Sequence, residues 1–122
     1  MLQKKLNNVR YTWDALVRMW REERSFRIQM GSTIPFLALA AFLKVSTLEW
    51  SVMLFVFLLL IALEFVNTAF ERLGDAVTTE HDSHIGNAKE LASAAVFVTG
   101  LGVAVIFAII LIPHLIDSFT YF

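Results

Sequence analysis

Cysteine is missing from all 122 residues, which excludes a disulfide framework and any thiolate metal site. Charge is scarce as well: 17% of the residues are Asp, Glu, Lys or Arg against 57% hydrophobic ones, with a mean hydropathy of +0.65. A soluble domain this small needs a largely polar surface, so the composition excludes an ordinary soluble fold and points to one membrane domain. No GxGxxG or GxxxxGK[ST] loop occurs, so any nucleotide would be held by side chains and metal. Residues 1–27 lack both an uninterrupted apolar core and a small-residue cleavage site, so no cleaved signal is expected. The net charge of −1 is uninformative as a total, and no nucleic-acid partner is expected.

Cations are nearly absent beyond the first quarter of the chain. Of the 10 Lys and Arg residues, Lys4, Lys5, Arg10, Arg18, Arg21, Arg24 and Arg27 come early, leaving Lys44, Arg72 and Lys89. Among the early ones, Leu6, Val9, Trp13, Leu16, Val17 and Trp20 recur at helical three- and four-residue spacing. That pattern predicts an amphipathic helix over 1–27, either lying in a membrane interface or facing a soluble core; the apolar sequence that follows favours the interface.

Three apolar stretches follow, at about 28–45, 48–70 and 91–115. The first contains Gln29, Pro35 and Lys44, with the two long polar side chains near its ends, where they can reach headgroups. Trp50 is placed as an interfacial anchor of the second. The third is uncharged and rich in small residues, from Ala92, Ser93, Ala94 and Ala95 to Gly100, Gly102, Ala104 and Ala108, so a helix–helix interface is expected there. Residues 72–90 read as a polar loop punctuated by Gly74 and Gly86, and His81, His84 and His114 as loop or tail residues. The fold expected is an all-α membrane protein, a surface helix plus three transmembrane helices. A cytoplasmic N-terminus would put nine of the 10 cations inside, which sets the orientation.

Beyond its apolar part the second span continues as LEFVNTAFERLGDAV, where Glu64, Asn67, Glu71 and Asp75 stand at i, i+3, i+7 and i+11. At 100° per residue they fall within roughly an 80° arc of one helix face. Glu64 would lie just inside the cytoplasmic edge of the hydrocarbon, with Glu71 and Asp75 progressively further out. A charge at the centre of a span costs about 2.5–3.5 kcal/mol, less near the edge, so the stripe calls for a compensating role. Asn67 alone could equally be a structural contact between helices. Stacked carboxylates repel, and a divalent cation would relieve them. Oxygen ligands without His or Cys favour Mg²⁺ over Zn²⁺, and Mg²⁺ pairs one or two carboxylates with substrate phosphates. Glu22–Glu23, among Arg21, Arg24 and Arg27, reads from spacing alone as a solvated ion-pair cluster. Lys89 either snorkels or, beside a phosphate site, holds a phosphate as a point charge.

The run Glu64-Phe-Val-Asn67-Thr-Ala-Phe-Glu71, then Asp75, then Ala88-Lys89-Glu90 and Ser93-Ala94-Ala95-Val96, resembles the small prokaryotic diacylglycerol kinase family, which includes the undecaprenol kinases. Upstream, Trp20-Arg-Glu-Glu23-Arg-Ser-Phe26-Arg27 is similar to the family's other signature. The resemblance covers nearly the whole chain. It implies a homotrimer of three-span subunits in the bacterial inner membrane, transferring the γ-phosphoryl of MgATP to a lipid hydroxyl at the cytoplasmic face. It also assigns roles. Glu64 is implied as the general base, and Glu23 and Glu71 as carboxylates on the metal–nucleotide. Asn67, Asp75, Lys89 and Glu90 line the nucleotide site, with Tyr11, Glu80 and Asp82 as further ATP contacts. Phe26, Arg27 and Ser93 go with Glu64 at the lipid. Where the family commonly has Lys-Asp this chain has Lys89-Glu90, and the stretch Glu80-His81-Asp82-Ser83-His84 also departs from the family pattern. The lipid alcohol is diacylglycerol or undecaprenol, with Arg-Ser-Phe-Arg-Ile and Asn-Thr-Ala-Phe-Glu leaning to the latter. The rival from another class is a non-enzymatic transporter or ion-binding subunit built on Glu64.

Overall fold

In the computed structural model, which describes residues 1–121, every regular element is a helix. The order is α1 (Leu2–Glu22), α2 (Arg24–Phe42), α3 (Thr47–Val77) and α4 (Ser83–Thr120). The chain divides into two compact units, Met1–Thr33 and Ile34–Phe122.

In the first unit the amphipathic pattern of 1–27 forms one helix that stops at Glu22, and α2 begins at Arg24. Glu23 is the break between them: it is extended (φ −101°, ψ 103°), while its N–H still donates to Met19 O at 3.0 Å. Arg27 closes the end of α1, donating from Nη1 to Trp20 O (2.7 Å) and Arg21 O (2.9 Å), two carbonyls left over where the helix stops. Trp20 meets Phe26 edge-on, with centroids 6.4 Å apart and planes at 87°. Phe26, Met19 and Met30 are buried, whereas Leu6, Val9, Trp13, Leu16 and Trp20 remain largely bare. An apolar face left uncovered on a cation-flanked helix is the pattern of a helix lying on a bilayer.

The second unit is built on α3 and α4 running side by side. Each contributes one stripe: Met53, Phe57 and Leu60 from α3, and Val96, Val103, Phe107 and Leu111 from α4. Ala40 and Val45 join this core, with Trp50 half-buried against it. Both helices are long and apolar enough to cross a membrane, and their most apolar stretches are only 28% and 22% buried within the chain. The core helix of a soluble protein would be mostly covered; here Phe55, Leu58, Phe97, Leu101, Val105 and Ile109 face outward, as lipid-facing residues do.

Local chemistry sets the helix ends. Ser46 caps α3 in a capping box: Glu49 N–H donates to Ser46 Oγ and Ser46 N–H to Glu49 Oε1, both at 3.1 Å. Just before it, in the link between α2 and α3, Lys44 takes a left-handed φ of 55°. At α4, Asp82 Oδ1 accepts from the N–H groups of His84 (2.9 Å) and Ile85 (3.0 Å).

Several expectations need correction. Gly74 and Gly86 do not punctuate a loop; both lie inside helices, and the link between α3 and α4 shrinks to 78–82. A helical glycine costs only about 1 kcal/mol, which packing and hydrogen bonding can outweigh. His114 is not a tail residue. It lies within α4, its Nε2 2.9 and 3.1 Å from the two carboxylate oxygens of Glu49. The helix–helix interface expected of the third span forms with α3, and larger side chains make it: Ser93, Ala94, Ala95 and Ala104 are exposed, and an added Cβ at Gly100 or Gly102 would meet nothing within 4 Å. Larger side chains fill that seam because apolar bulk, not close backbone approach, covers the α3 stripe.

Candidate active site

The acidic stripe of α3 forms a gradient of exposure. Glu64 is buried (3% exposed), as is Thr68 one turn on. Asn67 is half-buried, and Glu71 and Asp75 are open. Asn67 Nδ2 donates to Glu71 Oε1 at 3.4 Å, an i to i+4 contact that fixes the two side chains on one face. The amide oxygen Asn67 Oδ1 is itself buried, with no hydrogen-bond partner among the described residues. At the far end of the stripe Lys89 crosses from α4 and places Nζ 2.6 Å from Asp75 Oδ1. Thus Glu64, Asn67, Glu71, Asp75 and Lys89 lie along one edge of the α3–α4 pair.

Other candidates have local duties or stand apart. Asp82 is the N-cap of α4, and Glu80 donates its N–H to Thr78 Oγ1 at 3.1 Å in the link. Glu90 and Ser93 are exposed on the first turns of α4. In the first unit Tyr11 is exposed, Glu23 half-buried, Phe26 buried on Trp20, and Arg27 engaged with the end of α1. Among the described residues no three His, Asp or Glu side chains gather to hold a metal. Such a gathering is not what a nucleotide-borne divalent ion needs. One or two carboxylates plus phosphate oxygens suffice, and Glu71 with the unsatisfied Asn67 oxygen beside it offers that donor set.

Beside the acidic edge runs an apolar groove of about 340 Å³. Leu63, Val66 and Phe70 of α3 form one wall; Ala88, Leu91, Ala92 and Ala95 of α4 form the other. Ala92 and Ala95 face the α3 wall across this space, their small side chains leaving it open. A groove of apolar side chains next to a buried carboxylate suits a molecule with a hydroxyl head and a hydrocarbon tail.

The family model described as Prokaryotic diacylglycerol kinase matches residues 10–111, a stretch that takes in every candidate from Tyr11 to Ser93. The chain belongs to that family. Proteins named diacylglycerol kinase resemble it along most of their length. The one from Pseudomonas aeruginosa is 32% identical over 111 residues, covering 91% of this chain and 90% of its own. That from Haemophilus influenzae is 31% identical over 93 residues (76% and 79%), and that from Escherichia coli K12 is 26% identical over 104 (85% of each). As a member of the prokaryotic diacylglycerol kinase family the chain is an ATP-dependent lipid kinase, which sets aside the ion-binding subunit.

Two features of this family member escaped the sequence reading. The Glu49–His114 pair was foreshadowed only on one side, by the Ser46-x-x-Glu49 spacing of a capping box. The Lys89–Asp75 contact had no local signal, since 14 residues and a turn separate the partners.

Proposed function

We propose that this kinase moves the γ-phosphoryl group of MgATP to the hydroxyl of diacylglycerol, giving phosphatidic acid, at the cytoplasmic face of the bacterial inner membrane. The observation that carries the reading is the order of exposure along α3: buried Glu64 first, then Asn67 with Glu71, then Asp75 with Lys89. At 1.5 Å per residue, Phe70 lies about 30 Å along α3 from Trp50, one hydrocarbon thickness. Glu64 falls inside that span, and Glu71 and Asp75 fall beyond it. A lipid hydroxyl and a water-borne nucleotide therefore meet between Glu64 and Glu71.

Glu64 accepts the proton of the lipid hydroxyl as its oxygen attacks the γ-phosphorus. The bond from that phosphorus to the β,γ-bridging oxygen breaks, ADP departs, and Glu64 returns the proton to water. Mg²⁺ bound with the nucleotide supplies charge neutralisation on the phosphates. Glu71, with Asn67 beside it, would hold it, and Glu23 is assigned the same role. Asp75, Lys89 and Glu90 line the phosphates, with Tyr11, Glu80 and Asp82 serving the rest of the nucleotide. Ser93, Phe26 and Arg27 serve the lipid, whose tail lies in the groove of Phe70, Leu91 and Ala92. α2 is the third membrane span, α1 the surface helix, and the active assembly is a homotrimer; the bare apolar faces of α3 and α4 support a surface completed by lipid and by other copies.

The test is transfer of labelled γ-phosphate from MgATP into diacylglycerol in mixed micelles, with undecaprenol in parallel. Faster labelling of diacylglycerol is expected. Transfer confined to undecaprenol would change the substrate and keep the mechanism, whereas transfer to neither would overturn the reading.

A further inference from the structure

Of the five glycines, Gly74 alone has a neighbour pressed against it. No glycine among the described residues takes a positive φ, and Gly74 lies inside α3, so backbone conformation does not require it. Space does. A Cβ built on Gly74 would sit 2.8 Å from Lys89 Cε and 2.9 Å from Ile85 Cγ2. The stem of Lys89 therefore crosses directly over the bare Cα of Gly74, with Ile85 beside it one α4 turn back, and its ammonium lands 2.6 Å from Asp75, the next residue of α3. A methyl group there would meet two neighbours: the far part of the flexible Lys89 side chain, which yields by swinging away, and Ile85 Cγ2, a β-branched methyl that does not.

We propose that Gly74 is a positioning residue: a notch in α3 that fixes where the Lys89 ammonium stands at the phosphate end of the site, with Asp75 as its counter-charge. Lys89 is a flexible point charge, and without such a guide its ammonium would be spread over many rotamers. The proposal rests on the reading that Lys89 contacts nucleotide phosphate, and its test separates the two.

The full-length kinase, in mixed micelles, is assayed with MgATP and lipid varied in turn. Gly74→Ala raises KM for MgATP about tenfold, the scale of one charge-assisted hydrogen bond, and leaves KM for lipid unchanged. Its thermal midpoint falls by no more than a few degrees, because the better helix propensity of alanine offsets part of the crowding against Ile85 Cγ2. Lys89→Met keeps the stem and removes the charge; in that background Gly74→Ala adds nothing to KM. A further rise of the same size there would make the effect mere packing and overturn the proposal. So would an unchanged KM in Gly74→Ala when Lys89→Met alone raises it. If Lys89→Met leaves KM unchanged, the phosphate role of Lys89 falls first and takes the notch with it. Should Gly74→Ala not fold, Gly74→Ala/Ile85→Ala relieves the crowding from the side of Ile85 and carries the same expectation.

Discussion

Glu64 and Glu71 are the same residue type two turns apart on one helix, yet one is buried and the other open. On the proposed mechanism that difference divides their work, and substitution should expose it. Glu64→Gln keeps the shape and loses the base: kcat should fall by about 100-fold or more, with MgATP binding nearly unchanged. Glu71→Gln should instead raise the Mg²⁺ and MgATP concentrations needed for half-maximal rate. Steady-state kinetics with direct nucleotide binding separates the two. Loss of MgATP binding in Glu64→Gln, or an unaltered Mg²⁺ requirement in Glu71→Gln, would count against the division. At this scale the sequence was informative wherever a rule is local. The 100° step grouped Glu64, Asn67, Glu71 and Asp75 correctly, and the Asn67–Glu71 contact follows from it. Gly74 was misread because its reason is a lysine stem arriving from another helix, which no local pattern contains.

Among the elements, the α3–α4 pair is tied by polar side chains at both ends: Glu49 with His114 at one, Asp75 with Lys89 at the other. The ties differ in purpose. Glu49 is already committed to the capping box of α3, so His114 pins the end of α4 to a carboxylate whose geometry is fixed by Ser46. That is structural support at the end away from the phosphates. His114→Ala should lower the thermal midpoint in detergent by a few degrees while leaving KM for MgATP and lipid unchanged. An unaltered midpoint would show that the pair carries no stability; altered kinetics would show that this end communicates with the site. Helix existence was legible from hydropathy and period, whereas the ends were not. α3 runs on to Val77 and α4 starts at Ser83, through residues whose polarity suggested a loop. A helix that leaves the bilayer into water keeps its backbone bonds and changes only its side chains, so polarity alone marks the membrane edge and not the helix end.

For the molecule as a whole, the distribution of cations and the depth of the acids make one joint demand. The acidic edge works only if the 78–82 link, close to Asp75 and Lys89, faces the compartment that holds ATP, and the early run of Lys and Arg favours that same side. The link before α3 must then face the opposite way. Because the chain has no cysteine, each side can be probed by a single introduced thiol without background. Thr79 is exposed on the 78–82 link, and Leu48 is exposed in the first turn of α3, beside the link before it. In right-side-out vesicles a membrane-impermeant maleimide should label Leu48→Cys at once and Thr79→Cys only after permeabilisation. The reverse pattern would place the acids away from ATP, and the catalytic reading would then fail on topology even with every side chain correctly positioned. Labelling of both without permeabilisation would mean that α3 does not span the bilayer, and the bare faces of Phe55 and Leu58 would need a cover other than lipid.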